Sequence, residues 1–440
     1  MRPEEATGNG GVDVAEERRL FGTELRRRRN EAGLSLTQLA AKVHYSKGYL
    51  SRIETNRKPP PPELARLCDV ALAANGTLAA LAPAPSPGTP LPESQDDSEV
   101  WIMSLSADGS SWFRPIGRRE AMAMGVGSAI GFGLGTAGLG ATSGEATALA
   151  ALRAHFDQFR RLGQTASPGV VLPALVAQTH TIQQLASRAA DRNRGELLLL
   201  AARYAEYAGW MAQESGDDKA ALWWTDRAVE MADAGGDRDL AAYSLVRRAL
   251  VTLYRDDAKQ TVELAQHAQT FSVPARIRGL AAQREAQGHA LAGNRDACLR
   301  SLDQAQELLD RAEPAAGPVL GTTNLANPAA MALGWCMFDM GRAGEAAEVL
   351  DREVGLIPAE ALRTRARYGV RRALAHATAN EIDHACDLTR DLLGLIEVVS
   401  SATITLDVQR LRRTLARFRS HPAVREVSPH LDAALHAPTA

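Results

Sequence analysis

The sequence predicts an all-α protein: an N-terminal five-helix domain, a linker with a small β-hairpin, and a C-terminal array of paired helices. Three observations carry that expectation. Two short helical patterns joined by a tight turn lie between Leu34 and Pro62. Apolar residues recur at helical spacing over residues 145–436, with small residues at repeated places. Hydrophobic residues make up 45% of the chain but aromatic ones only 5%, which favours helices packed through small side chains over a β-rich core. A length of 440 residues fits two or three domains.

Residues 1–14 are polar and acidic and read as disordered. Residues 15–32 form a first helix with Leu20, Phe21 and Leu25 inward, and Gly33 stops it. Ser35 caps the second helix, and Gln38 three residues on completes a capping box. Leu36, Leu39, Ala40 and Val43 follow at helical spacing, and the pattern breaks at His44–Tyr45. A third helix starts near Ser46 with Tyr49, Leu50 and Ile53 inward. Asn56 suits the left-handed conformation that ends a helix, and Pro59 to Pro62 prevent continuation. Residues 62–73 make a fourth helix around Leu64, Leu67, Cys68 and Ala71, and Asn75 is expected to cap a last short turn through Leu81.

Helix, short turn, helix is the geometry that sets a second helix into the major groove of DNA. The charges agree with that task. Residues 15–82 hold twelve Lys or Arg against seven Asp or Glu, whereas the whole chain is at −2. A basic module on an acidic body is the footprint of a nucleic-acid binder. Lys47 and Arg52 face outward on the third helix, where they are expected to reach base edges, with Ser46, Tyr49 and Ser51 beside them. Ser35, Thr37, Arg57 and Lys58 flank that helix and are expected to meet phosphates. The run Arg26 to Arg29 adds basic charge from the first helix.

Residues 18–81 resemble the helix-turn-helix domain of the xenobiotic-response-element family, the phage Cro and repressor type. The residues that carry the likeness are Arg26, Arg29, Gly33-Leu34-Ser35, Leu39-Ala40, Ser46 and Leu50-Ser51-Arg52-Ile53-Glu54. Asn56 stands where that family usually has glycine. Gly48 stands inside the third helix where relatives often place a base-reading side chain. The resemblance implies binding of double-stranded DNA and covers about one seventh of the chain.

Residues 83–144 are a linker. The stretch 82–98 holds five prolines followed by acidic and polar residues. Val100 to Leu105 and Ser110 to Ile116 are β-prone runs around Asp108-Gly109, a hairpin pattern at about 100–116. Nine glycines lie between Gly117 and Gly144, and residues 121–144 carry no charge. Three readings compete for this stretch: a hinge, a membrane segment, and a twin-arginine export signal at Arg118-Arg119. Such signals act at the amino terminus, and Gly, Ser and Thr dilute the hydrophobicity, so the hinge is the reading adopted.

Residues 145–436 carry an internal repeat. Leu333-Gly334, Gly341 and Ala346, followed by Pro358, share their spacing with Gly209, Gly216 and Ala221, followed by Ala228, and with Ala286, Gly293 and Cys298, followed by Ala305. Weaker copies centre on Asp256–Ala268 and Asn380–Leu392. The segment resembles a divergent tetratricopeptide solenoid with a repeat longer than usual. That resemblance implies a concave face, onto which Arg203, Glu206, Trp210, Gln213, Tyr243, Gln283, Gln287, Met331, Trp335, Phe338 and Arg367 map. Asn324 and Asn327 precede the fourth repeat and could hold a peptide backbone. For each of these residues, packing between helices is the competing role.

No phosphate-binding glycine loop or dinucleotide fingerprint occurs. His376 and His384 are eight apart without a ligand pattern, and the ten histidines are not expected to cluster. No catalytic residue, metal or cofactor is expected. Cys68, Cys298, Cys336 and Cys386 are far apart, and residues 1–17 carry no export pattern, so a reducing cytoplasm is expected, with the nucleoid as the place of work. Together these features predict a bacterial DNA-binding transcription regulator of the actinobacterial, arginine-rich kind. It is expected to be a homodimer whose repeat domain senses a peptide, small molecule or protein partner, with no membrane partner. The alternative is an adaptor or scaffold, membrane-associated or not, for which DNA binding is secondary.

Overall fold

Phe21, Leu25, Leu39, Leu50, Ile53, Leu64 and Leu78 meet in one apolar core, and that core defines the first unit of the protein. The computed structural model describes residues 21–43, 45, 47–56, 60, 62–81, 100–105, 111–116, 143–313 and 319–436. The chain divides into two compact units, Met1–Pro83 and Ala84–Ala440.

The first unit holds α1 (Phe21–Glu31), α2 (Leu36–Lys42), α3 (Lys47–Glu54), α4 (Pro62–Ala71) and α5 (Thr77–Ala80). Its boundaries follow from local chemistry. Gly33 takes φ +66, and the Leu34 N–H then donates to the Arg29 carbonyl at 3.0 Å, closing α1. The Ser35 hydroxyl accepts from the Gln38 N–H at 3.2 Å, and the Gln38 side chain accepts from the Ser35 N–H at 2.8 Å. Two otherwise orphaned donors at the start of α2 are thereby satisfied. Asn56 ends α3 at φ +54. The expected cap at Asn75 is corrected. Asn75 takes a left-handed turn at φ +48, and the Asp69 carboxylate of α4 accepts from the N–H groups of Gly76 at 2.6 Å and Leu78 at 2.7 Å. The Asp69 carboxylate also accepts from the Ala79 N–H at 3.3 Å, so it serves three donors at the start of α5, more than one amide oxygen could. Residues 15–20 of the expected first helix lie outside the described residues.

The second unit begins with β1 (Val100–Leu105) and β2 (Ser111–Ile116), which pair antiparallel with Val100 opposite Ile116 and Leu105 opposite Ser111. The expected Asp108-Gly109 turn lies outside the described residues, as does the stretch 117–142. No helix among the described residues is long and apolar enough to cross a membrane.

Fourteen α-helices follow among the described residues: α6 (Ser143–Thr165), α7 (Pro168–Arg188), α8 (Asp191–Glu214), α9 (Asp218–Ala234), α10 (Asp239–Tyr254), α11 (Ala258–Gln269), α12 (Ala275–Leu291), α13 (Arg295–Asp310), α14 (Pro328–Asp339), α15 (Ala343–Val354), α16 (Leu362–Thr378), α17 (Ile382–Val399), α18 (Ala402–Leu415) and α19 (Pro422–His436). From α7 on, nearly every helix packs on the next, and α10, α12 and α14 pack on one another in series, as do α16 and α18. Five turns within the helix pairs share one device, which recurs between pairs at Gly236, where the Asp237 N–H donates to the Ala232 carbonyl at 2.8 Å. A residue with positive φ stands at Gly216, Asp256, Gly293, Gly341 and Asn380. The residue after each donates its N–H five positions back: Asp217 to Ala212, Asp257 to Thr252, Asn294 to His289, Arg342 to Met337, and Glu381 to His376, all at 2.9–3.0 Å. Asp217, Asp257 and Asn294 then cap the helix that follows. Gly209 shows why small residues recur inside the pairs. A Cβ placed there would sit 3.0 Å from the Ala221 carbonyl oxygen and 3.2 Å from the Trp224 Cβ.

The array also closes on itself. α6 packs on α16 and α17, and α8 packs on α18. The Arg363 guanidinium of α16 donates to the Gly163 carbonyl of α6 at 2.7 Å and to the Glu214 carboxylate of α8 at 3.2 Å. Glu214 also accepts from Arg367, from Ser401 at 2.7 Å and from Thr403 at 3.0 Å. Glu214 and Arg363 are both 1% exposed, so this contact is fully buried. Burial alone would raise the Glu214 carboxyl, but Arg367, Arg363 and the Ser401 hydroxyl outweigh it and hold it at about 2.

Candidate nucleic-acid interface and ligand cavity

In the first unit, Leu50 and Ile53 lock α3 into the core, which leaves Lys47 and Arg52 exposed on its opposite side. Tyr49 and Ser51 are half-buried beside them, and the Tyr49 ring leans on Tyr45 at 5.4 Å between centroids. Ser35 and Thr37, at the start of α2, are exposed. Ser46, Arg57 and Lys58 lie outside the described residues.

The arginine run on α1 does something different from what its charge suggested. Arg29 pairs with Glu54 at the end of α3 through two contacts, at 2.6 and 3.1 Å, and donates to the Leu34 carbonyl at 2.7 Å. Arg27 and Arg28 both pair with Glu24. Arg27, with Arg28, holds the Glu24 carboxyl at about 2 against the upward push of burial. Three of the four charges therefore brace α1, the turn and α3. Asn56 adds a second brace: its side-chain oxygen accepts from the Gly22 N–H at 3.0 Å, and its amide donates to Thr23 at 3.2 Å. The Asn that replaces glycine in the family pattern is thus an active clamp between α3 and α1. Gly22 has to be small, since a Cβ there would lie 2.1 Å from the Ile53 carbonyl oxygen.

In the second unit, α6, α8, α10, α12 and α16 surround a cavity of 690 Å³, with residues 319–324 forming part of its wall. That volume is in the range of small-molecule sites. Of the residues expected on a concave face, Arg203, Glu206, Trp210, Tyr243, Gln283, Asn324 and Arg367 line it. Gln213, Gln287, Asn327, Met331, Trp335 and Phe338 do not. Gln213 is buried, Gln287 accepts from Arg284, and Asn327 caps α14 by accepting from the Ala330 N–H at 2.9 Å. Trp335 packs with Leu250, Leu253 and Tyr254 beneath the Arg371 guanidinium, which Asp407 holds at 2.8 Å. Met331 and Phe338 pack in the core around α14.

The sequence reading missed the contribution of α6, from Phe156 to Thr165, because that helix reaches the cavity through closure of the array. It also missed Arg247 and Arg284. Arg247 lies one helical turn beyond Tyr243, and that spacing was available to find it. Residues 319–324 are tied down from two sides. Arg160 of α6 donates to Thr323 at 3.2 Å, and Arg276 of α12 donates to the carbonyls of Leu320 at 3.0 Å and Thr322 at 2.7 Å.

The expectation that histidines do not cluster is corrected. α15, α16 and the first turn of α17 converge, so Asp351, His376 and His384 bring ligating atoms within 4.8 Å of one another. His376 is already held between Asp351, at 3.0 Å, and Glu381, while Arg372 pairs with Asp351. A metal ion would have to displace a guanidinium and break these contacts. All four cysteines are buried thiols, and burial pushes Cys68 up to about 12, consistent with a packing role.

The geometry of α2 and α3 defines a class, and comparison with known proteins agrees with it. Residues 20–82 match the helix-turn-helix domain family. The first unit is accordingly a helix-turn-helix DNA-binding domain. No curated protein and no solved structure matches the chain.

Proposed function

We propose that the protein is a transcription regulator that binds double-stranded DNA as a homodimer, and that its second unit is a tetratricopeptide-like sensor of a small ligand. The observation that carries the DNA-binding part is α3 itself. Its inner face is anchored by Leu50 and Ile53, and its outer face offers Lys47 and Arg52 to solvent. A recognition helix needs that division, because a rigid back holds base-reading side chains in register. The repeated turns at 216, 256, 293, 341 and 380 support the repeat reading, and the cavity supports the sensor. One recognition helix reads too few base pairs for a selective site, which favours a two-fold dimer on spaced half-sites. The cytoplasm, at the nucleoid, is the compartment that suits this work.

Selection of bound sites from random DNA tests the reading, followed by titration of the selected site. Arg52→Ala is expected to relax sequence preference at one or two positions, by about 1–3 kcal/mol of discrimination. Equal weakening on every sequence would restrict Arg52 to phosphate contact. Failure of the full chain to shift any DNA at low salt would remove the regulator reading. Sedimentation of the full chain tests the dimer; a monomer at micromolar concentration that binds DNA singly would overturn it.

A further inference from the structure

The cavity of the second unit is basic. Seven arginines line it against three carboxylates, Asp157, Glu206 and Glu360. Several of these charges are answered elsewhere. Arg363 and Arg367 belong to Glu214, and Arg160 to residues 321–323. Four remain: the exposed Arg161 on α6, and, on successive inner helices, Arg203 on α8, Arg247 on α10 and Arg284 on α12.

Arg203 pairs with Asp237 at 3.3 Å through one nitrogen, and the partners of the three inner guanidinium groups are otherwise incomplete among the described residues. Arg247 is 5% exposed, and its nearest carboxylate oxygen, on Glu206, is 3.7 Å away, beyond hydrogen-bond reach. Its Nε has no partner, nor do the Arg284 Nε, the Arg203 Nη1 and the Oε1 of the buried Gln283. Among the described residues, Arg284 donates to the neutral amide oxygen of Gln287 and to no carboxylate. Burial pushes the Arg284 guanidinium down, with nearby Arg247 adding to it. Buried guanidinium donors without acceptors are costly, and a protein that keeps three of them around one cavity gains most when an anion enters. Part of the wall is apolar: Trp210, Val246, Leu250 and Leu280 line the same space.

We propose that this cavity is a binding site for a small amphipathic anion, a carboxylate or phosphate monoester on an apolar body. Arg247 and Arg284, with Arg203, take the anionic head, since guanidinium forks pair with both oxyanions. Trp210, Val246, Leu250 and Leu280 cover the body. The proposal deepens the sensor reading above, and only its link to DNA rests on that reading.

Equilibrium dialysis of the full chain with 2-naphthoate, 1-naphthyl phosphate and the uncharged 2-naphthalenemethanol tests it. At least one of the two anions is expected to bind, and the alcohol about tenfold or more weakly. Which anion binds more tightly distinguishes a carboxylate site from a phosphate site. Arg247→Gln and Arg284→Gln are each expected to lower anion affinity about tenfold or more while leaving the alcohol unchanged, and the exposed Arg227→Gln to alter neither. A thermal melt without ligand guards against misfolding: Arg284→Gln is expected to melt no lower than the parent, because it removes an unanswered buried charge. Equal binding of the alcohol, full anion affinity in both glutamine variants, or no anion binding at millimolar concentration would each overturn the site. A DNA titration with and without the bound anion separates the two ideas. Anion binding with unchanged DNA affinity upholds the site and removes its sensing role.

Discussion

The two units solve the same problem, fixing one helix against another, with charges placed very differently along the chain. In the first unit Arg29 reaches Glu54, and Asn56 reaches Gly22 and Thr23, all within one short domain. In the second, Glu214 gathers Arg363, Arg367, Ser401 and Thr403 from helices far along the chain. The first set braces a surface whose face must be ready for a partner. The second is buried, so its ions are stable only as a complete set. Local braces tolerate partial loss, whereas a buried network does not.

Breaking the buried network should have the largest effect. Glu214→Ala leaves two guanidinium groups without their anion and is expected to cost about 3–5 kcal/mol. All six tryptophans lie in the second unit, so urea unfolding followed by tryptophan fluorescence reads that unit alone. DNA affinity at low denaturant is expected to persist. If fluorescence unfolding is unmoved, the network contributes nothing to closure.

Acid should reach the same contact reversibly. The Glu214 carboxyl is held at about 2, below its ordinary 4.5, so folding is favoured by its ionised form. That contribution is complete above about pH 4.5 and is lost as the pH falls toward about 2. Tryptophan-detected stability is therefore expected to fall over that window. In Glu214→Gln this part of the pH dependence should disappear; its persistence would assign it to other carboxylates.

The first unit is next in size. In Gly22→Ala the new Cβ meets the Ile53 carbonyl, a backbone atom that cannot rotate away, at a cost of about 1–3 kcal/mol. DNA binding should weaken with no change in the tryptophan transition, and unchanged affinity would mean α1 can shift freely. The smallest expected effect is at Asn56→Ala. It removes two hydrogen bonds and leaves alanine at positive φ, about 1–2 kcal/mol by far-UV circular dichroism of the helix-turn-helix domain. A loss as large as that of Glu214→Ala would erase the contrast between the units.

The same contrast explains what the sequence could disclose. The capping box at Ser35 and Gln38, the inward Leu50 and Ile53, and the small residues at Gly209 and Ala221 are local patterns, and reading along the chain finds them. Arg29 looked like part of a basic surface because its partner is 25 residues away. The repeat resemblance mapped Arg203, Trp210, Tyr243 and Gln283 onto a concave face, and they line the cavity, but Trp335 was mapped in the same way and packs against Leu250 and Leu253. Spacing identifies a helix face and leaves open which neighbour covers it. Phe156 and Arg160 join the cavity only because α6 meets α16, a contact that no nearby residue announces.

Closure of the array also bears on how the second unit can be cut. An open stack of repeats folds by nearest-neighbour steps, and losing a terminal repeat leaves the others standing. Here the last helices supply Ser401 and Thr403 to a carboxylate near the beginning, and α16 supplies the arginines. Deleting the C-terminal helices would therefore damage α6 and α8, at the opposite end of the unit in sequence. Contacts of such high sequence separation make folding slower and more nearly all-or-none than repeat architecture would imply. In a nascent chain the cavity cannot be complete until α16 has been synthesised, long after every helix of the helix-turn-helix domain has been made.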